Sequence, residues 1–505
     1  MHEIDREGRC TRPRWMFTLT ALVCAGMLCS WLALRPAMLG AQNGAPQLLV
    51  PNLAVRTVVS GLVTPISLAF LGPEDFLILE KDTGRVQRVL NGEVQSTVLD
   101  LAVNSASERG LLGITLHPGF PAVPWVYLYW TESTTGSDTT VLSETPLLGN
   151  RVDRFIWDGS VLTQDVNVIR LRALQQDADQ PERGNHDGGV VRFGPDGKLY
   201  IFIGDTGRRG QLQNLVCGPT STCPGAPVAD DQFGGPEPDG AHLTGVVLRL
   251  NEDGSTPDDN PFFAAGEAIG GDAGASIQKI FSYGHRNSFG MAFDPYSGHL
   301  WLQENGDDSF TEINRVEPGM NGGWVQIMGP VDRIADFKAI ETSEEIDPVT
   351  GSPYFGLQQV RWPPTLIADT PEEALSRLFM LPGAQYSDPE LSWKFEVAPA
   401  GLGFIVGRAL GPQFDGSLVL GAARTFLEEG FLFRVRLTGN RLTVAGPRVI
   451  ENEHKWDGTG SEALLFGRNF GIGTDVQTGP NGNLFVVSLD HGAVYEIHST
   501  RPEGD

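Results

Sequence analysis

The chain has 505 residues, with 62 acidic side chains against 37 basic ones and a formal charge of −25. That balance argues against nucleic acid or an anionic membrane surface as a partner, and it is compatible with divalent cations. Apolar residues make up 41%, enough for a large core, and the 62 glycines and 34 prolines are spread out rather than gathered into a linker, so residues 42–505 read as one domain.

At the start, Arg6, Arg9, Arg12 and Arg14 precede an uncharged apolar run over residues 15–34, and small residues follow around Ala41. This is the pattern of an export signal. The run is about 20 residues long, sufficient to cross a bilayer if it is retained. Residues 1–41 are therefore expected to be a signal peptide cleaved after Ala41 or an N-terminal anchor, and the protein is expected in the periplasm or outside the cell. Three of the five cysteines lie in this segment. The remaining two, Cys217 and Cys223, sit in a loop rich in turn residues, and in an oxidising compartment they read as a local disulfide.

Strand–turn–strand units follow almost everywhere. Residues 77–80 and 86–89 flank Asp82-Thr83-Gly84, and residues 126–130 form a β-rich run. Residues 190–193 and 199–203 flank Gly194-Pro195-Asp196-Gly197, where proline presets φ and glycine supplies φ > 0. Further hairpins are expected at 291–293 with 300–302, at 417–420 with 431–435, and at 484–487 with 493–497. Helical periodicity is scarce, with 371–378 as one short candidate. The hairpin grammar G-P-(D/N)-G-x-L-(Y/F) recurs at 194–200 and 479–485, which suggests an all-β propeller with inserted loops.

The hairpin at 190–203 carries His186 just before its first strand and Asp205 just after its second. Those ends share one edge of an antiparallel pair, so imidazole and carboxylate can meet. A carboxylate on one ring nitrogen leaves the other free as a base. Gly184, Gly188 and Gly189 leave the backbone beside His186 open to a ligand. The alternative is a histidine that merely satisfies a turn.

Five blocks extend the pattern. They are Glu108 to Ile114 with His117-Pro118-Gly119-Phe120; His186-Asp187-Gly188-Gly189 with Gly204-Asp205; Gly245 to Gly254 with Asn260-Pro261-Phe262; Tyr283-Gly284-His285-Arg286-Asn287 with Glu304 to Asn314 and Asn321-Gly322-Gly323-Trp324; and Asp475-Val476 before Gly479-Pro480-Asn481-Gly482. In this order they resemble the soluble glucose/sorbosone (aldose sugar) dehydrogenases that use pyrroloquinoline quinone (PQQ), from about residue 61 to 497. The resemblance implies a six-bladed β-propeller and oxidation of an aldose at its anomeric hydroxyl, with hydride passing to the quinone. It implies His186 as general base, Asp205 as the group orienting it, and Arg286 as the cation facing charge on the quinone. Glu108, Arg286, Asn287 and Arg424 match cofactor contacts. Gly306 and Asp307 match main-chain ligands of a Ca²⁺ that polarises the quinone, and Glu312 with Gly322 match a second, structural calcium site.

The chain also departs from that pattern. Ser288-Phe289 stands where the family has Pro-Gln, and Ile472-Gly473-Thr474 stands where two cofactor-clamping arginines are usual, leaving Arg468 as the nearest substitute. His285 reads as a structural turn residue, and Asp307-Asp308 as a candidate solvated turn. Trp324 and Phe289 offer aromatic faces to a pyranose ring, with core packing the alternative. A non-catalytic carbohydrate- or protein-binding propeller and a calcium-dependent lactonase remain open as other functions. A sugar is the expected small-molecule partner. The electron acceptor and homodimerisation are left open.

Overall fold

The computed structural model describes residues 44–174, 184–207, 243–346, 348, 351, 367–422 and 430–501. The expected export segment, Cys217, Cys223 and Arg424 lie outside these residues. Ala45–Asp505 forms one compact unit.

The hairpin singled out above shows why β structure prevails. Strands Val190–Phe193 and Leu199–Ile203 pair antiparallel, Val190 opposite Phe202 and Phe193 opposite Leu199. Gly197 sits at φ +72°, and its N–H donates to the carbonyl of Gly194 at 2.9 Å. Asp196 closes the turn by accepting from the N–H of Lys198 at 3.1 Å. The strand L-Y-I-F-I has no polar alternation because both of its faces are buried. Successive side chains point to opposite faces. Ile201 and Ile203 pack with Tyr127, Tyr129 and Val152 of the preceding sheet, and Tyr200 and Phe202 with Met291, Leu300 and Leu302 of the following one. Each such buried side chain contributes about 1.5–3 kcal/mol relative to exposure.

The same logic repeats around the chain. Four antiparallel strands make a first sheet (Pro65–Gly72, Asp75–Glu80, Arg85–Leu90, Glu93–Asp100) and four make a second (Leu111–Leu116, Trp125–Thr131, Asn150–Trp157, Leu162–Leu171). Val246–Leu250 and Ile280–Tyr283 extend the 190–203 hairpin into the third. Met291–Phe293, Leu300–Glu304, Ser309–Val316 and Leu391–Phe395 build the next, followed by Pro399–Phe404, Leu418–Ala422, Leu432–Val435 and Leu465–Arg468. The last sheet joins Gly473–Thr478, Leu484–Ser488 and Ala493–Ser499 to the early strand Leu53–Ser60. That pairing sets Val55 opposite Ile497, so the two ends of the domain close one sheet between them.

The leading strand of each sheet lies beside that of the next, and Gly473–Thr478 lies against Pro65–Gly72, which makes the arrangement an all-β propeller. The leading strands approach closely. A Cβ at Gly113 would run into the carbonyl of Gly189 in the next sheet. Across the centre, Arg192 Nη2 donates to Asp475 at 3.2 Å, and Ser67 Oγ donates to the same carboxylate at 2.7 Å.

The expected strands at 77–80, 86–89, 126–130, 291–293, 300–302, 484–487 and 493–497 all fall within observed ones. The helix candidate at 371–378 appears as Pro371–Ser376, its N-terminus capped by Thr370 accepting from the N–H of Glu373. Helices Phe263–Ile269, Gly271–Ile277 and Ile334–Glu341 carried no usable periodicity in the sequence. Among the described residues no helix is long and apolar enough to cross a membrane.

Candidate active site

The ends of the third sheet's hairpin opposite its Gly194–Gly197 turn bring His186 and Asp205 together. Nδ1 of His186 lies 2.5 Å from Oδ1 of Asp205, and both side chains are buried. The carboxylate also accepts from the Gly207 N–H at 2.7 Å and from Trp324 Nε1 at 2.9 Å. With two fixed donors already on it, Asp205 acts as acceptor to the imidazole as well, so the proton belongs on Nδ1 and the lone pair on Nε2. No hydrogen bond to Nε2 occurs among the described residues. The backbone of His186 is held at φ +61°, in the left-handed region that non-glycine residues seldom adopt. Strain of that kind persists only where surrounding contacts enforce it. Here the His186 N–H donates to Glu108 Oε2 at 2.6 Å, and its carbonyl accepts from Thr206.

Gly188 and Gly189, expected to leave room for a ligand, instead make room for the protein. A Cβ on Gly188 would meet the Phe202 carbonyl at 2.7 Å, and one on Gly189 would meet Leu112 Cβ at 2.5 Å. Close sheet packing rather than ligand access requires these glycines.

Arg286 and Asn287 follow strand Ile280–Tyr283 of the same sheet, and main-chain bonds lock them beside Asp205. The Asp205 N–H donates to the Arg286 carbonyl at 2.8 Å, and the Asn305 N–H to the Asn287 carbonyl at 2.8 Å. The Arg286 guanidinium donates to the Asn305 carbonyl at 2.9 Å and to Asp307 at 3.2 Å, and it lies 5.6 Å from the Trp324 ring centre. Asn287 Nδ2 donates to Glu108 at 3.2 Å, so Glu108 ties Asn287 to the backbone of His186. Among the described residues the buried Asn287 Oδ1 has no hydrogen-bond partner.

Glu304 organises this corner, a role its place at the start of the block from Glu304 to Asn314 does not disclose. Its carboxylate accepts from the Arg286 N–H at 2.6 Å and pairs with His285 Nδ1 at 3.0 Å, while His285 Nε2 meets Ser282 at 2.9 Å. His285 is thus a structural residue, as its position in the turn suggested. A carboxylate ending the apolar strand L-W-L-Q-E was the available signal. Trp324 does not face a sugar. It is fully buried and spends its N–H on Asp205.

Two of the residues expected to ligate calcium, Asp307 and Glu312, have protein partners on the oxygens in question. Glu312 lies opposite Glu304 in the pairing of Leu300–Glu304 with Ser309–Val316. It accepts from the Gly329 N–H at 2.5 Å and from Asn314 Nδ2 at 2.9 Å. Burial, and after it the charge of Glu304, push its carboxyl well above the usual range. Gly322 donates its N–H to the Tyr283 carbonyl at 2.8 Å. Gly306 and Asp307 do sit beside Arg286, but the carbonyl of Asp307 already accepts from Lys455 Nζ at 2.7 Å. Lys455 also bonds Asp308 at 2.6 Å, so Asp308 is a buried ion-pair member rather than part of a solvated turn. Burial works against the Lys455 ammonium, but Asp308, Glu396 and Asp307 outweigh it and hold its pKa above that of an ordinary lysine. Among the described residues no three His, Cys, Asp or Glu side chains group as a metal site. Arg468, the substitute cofactor clamp, bonds Gln47 at 2.9 Å on the fifth sheet's outer edge.

Fold and site together define a β-propeller that presents a carboxylate-oriented histidine and a buried arginine at one edge of its third sheet. The glucose/sorbosone dehydrogenase family model matches residues 62–221 and 227–349, and the chain belongs to that family. Quinoprotein glucose dehydrogenase B of Acinetobacter calcoaceticus is 32% identical over 286 residues, 56% of this chain and 54% of that protein. The chain thus spans about half the length of that relative. An aldose sugar dehydrogenase of Escherichia coli K12 is 25% identical over 436 residues, 86% of this chain and 89% of its own. The PQQ-bound aldose sugar dehydrogenase of Streptomyces coelicolor shares the fold with a TM-score of 0.51 at 23% identity, covering 90% of this chain and 99% of that one.

Proposed function

We propose that the chain is an exported, six-bladed quinoprotein that oxidises the anomeric hydroxyl of an aldose to the lactone, with PQQ as the hydride acceptor. The observation that carries this reading is the His186–Asp205 pair, a base with its tautomer fixed by a buried carboxylate. Family membership and the names of the two relatives support the substrate class and the cofactor.

The residues at hand fit a planar, polar oxidant. The Arg286 guanidinium and the unpartnered amide oxygen of Asn287 lie side by side in sequence at one rim, with Glu108 bridging Asn287 to His186. These three would hold PQQ, which when bound supplies the quinone that takes the hydride from the sugar's C1. His186 Nε2 removes the proton of the anomeric hydroxyl as that hydride leaves. Asp205 holds the Nδ1 proton and stabilises the imidazolium that results. Arg286 places positive charge where the acceptor becomes electron-rich. Calcium fits less well, because the Asp307 carbonyl carries Lys455 and the Glu312 carboxylate is engaged by Gly329 and Asn314.

The test is to add PQQ to the purified protein and follow the cofactor's absorbance as an aldose is supplied. Wild type is expected to bind and reduce it. His186→Ala is expected to bind PQQ nearly as well and to reduce it about 10²- to 10⁴-fold more slowly. A wild type that binds no PQQ, or a variant within a few-fold of wild type, would overturn the assignment.

A further inference from the structure

The lysine on the Asp307 carbonyl arrives from a segment far away in sequence. Residues 452–456 are stapled to the end of strand Leu391–Phe395. Asn452 accepts from the Phe395 N–H at 2.9 Å and donates back to its carbonyl at 3.0 Å. The Trp456 N–H donates to the Glu396 carbonyl at 2.7 Å, and its indole N–H to the Glu396 carboxylate at 2.5 Å. Glu396 in turn donates its N–H to the Asp308 carbonyl at 3.1 Å. Between these two staples the side chain of Lys455 projects inward, with only 16% of it exposed, to the Asp307 carbonyl and the Asp308 carboxylate. The receiving loop is rigid as well. Glu341 Oε1 accepts from the Asp308 N–H at 3.0 Å, the Ser309 N–H at 3.0 Å and the Ser309 hydroxyl at 2.8 Å.

We infer that Lys455 is the resident cation of the Asp307 carbonyl and that it excludes a divalent ion from that oxygen. Calcium binds oxygens at about 2.3–2.6 Å. On this carbonyl it would sit within a few ångströms of an ammonium that is tied to the same oxygen, in a poorly solvated setting where like charges repel strongly. Asp307 would then carry three cations, since its carboxylate already accepts from Arg286. The ammonium delivers positive charge to the same place without a metal. Placing that charge at the reaction pole rests on the proposed function, whereas the occupancy of the carbonyl does not.

Calcium titration of the cofactor-free protein, read by calorimetry and by melting temperature, tests this directly. Wild type and Lys455→Arg are expected to show equal and weak calcium binding. Lys455→Met, which keeps the apolar stem and removes the charge, is expected to bind calcium about tenfold or more tightly than wild type. Equal calcium affinity in wild type and Lys455→Met would overturn the inference. Should Lys455→Met fail to fold, acetylation of Lys455 in the wild-type protein decides the matter. Protection is expected with and without millimolar calcium, and labelling that rises with calcium would refute the assignment. Neither readout involves sugar oxidation, so a chain that behaves this way yet reduces no PQQ would sink the proposed function and leave Lys455 in place.

Discussion

Replacing Asp205 with asparagine separates the orienting role of this carboxylate from simple burial. Among its partners the native side chain accepts from His186 Nδ1 at 2.5 Å, Gly207 N at 2.7 Å and Trp324 Nε1 at 2.9 Å. An amide has one oxygen, so it cannot face all three donors. With its oxygen toward His186 and Gly207, its NH₂ points at the Trp324 N–H and leaves a buried donor unsatisfied. With the amide flipped, NH₂ faces His186 and Gly207, and the imidazole must move its proton to Nε2 to accept. The first outcome costs about 1–3 kcal/mol of stability, the usual penalty for a stranded buried polar group. The second removes the base and its contribution of about 10²- to 10⁴-fold. Asp205→Asn should therefore lose turnover on that scale, while PQQ affinity changes little because Asp205 acts through the His186 imidazole. Steady-state aldose oxidation with an artificial electron acceptor, at saturating PQQ and alongside urea unfolding, measures both effects. Turnover within about fivefold of wild type, at a stability loss in the stated range, would show that Asp205 is merely structural and would refute the orienting role.

Asp187, next to the base, gives a pH signature. Burial pushes its carboxyl up to about 7, with Arg109 and the Asn150 amide pulling the other way. A carboxyl that holds its proton more tightly in the fold than in the unfolded chain stabilises the fold fully at low pH. That contribution is lost as pH rises from about 4 toward 7, by up to about 4 kcal/mol. Asp187→Asn should abolish that slope in unfolding free energy against pH, and an unchanged slope would place the titration elsewhere. At the other corner of the site, Glu341→Ala strands the three donors of Asp308 and Ser309. Amide exchange at these two residues should speed up, with about 1–3 kcal/mol lost overall, whereas unchanged exchange would mean that Lys455, Arg286 and the Glu396 N–H hold the 306–309 loop without it.

What the sequence discloses about this protein tracks how local the determining forces are. The Gly194–Gly197 turn and its flanking apolar runs need only neighbours in the chain, so the hairpin reads directly, and with it the meeting of His186 and Asp205. Strand Ser309–Val316 does not read that way. Its residues include Glu312, Asn314 and Arg315, and its buried carboxylate is satisfied by its strand neighbour Asn314 together with Gly329, which the fold brings in. Glu304 and Lys455 were illegible for the same reason. A glutamate at a strand end and a lysine in E-N-E-H-K-W have no local feature that tells their partners. Lys455 meets Asp307 across 148 positions of sequence. The family resemblance singled out Gly306 and Asp307 as main-chain donors, but it could not report what a segment this far away would place on the Asp307 carbonyl.

The charges at this pole explain why that difference matters. Glu108, Asp205, Glu304, Asp307 and Asp308 all gather around the site, against the cations Arg286 and Lys455. Glu304 accepts from the main-chain N–H of Arg286, and Asp307 accepts from its guanidinium. PQQ carries carboxylates of its own, and an acid-rich rim repels them unless cations are held in place there. A calcium ion bound only by two main-chain oxygens and water would meet that need, but it would remain exchangeable with solvent and open to chelators. An ammonium tethered by Asn452 and Trp456 stays. Metal dependence and cofactor dependence, which rise and fall together when a metal bridges protein and quinone, should therefore separate in this chain. A chelator would strip neither the positive charge at Asp307 nor the loop that presents it.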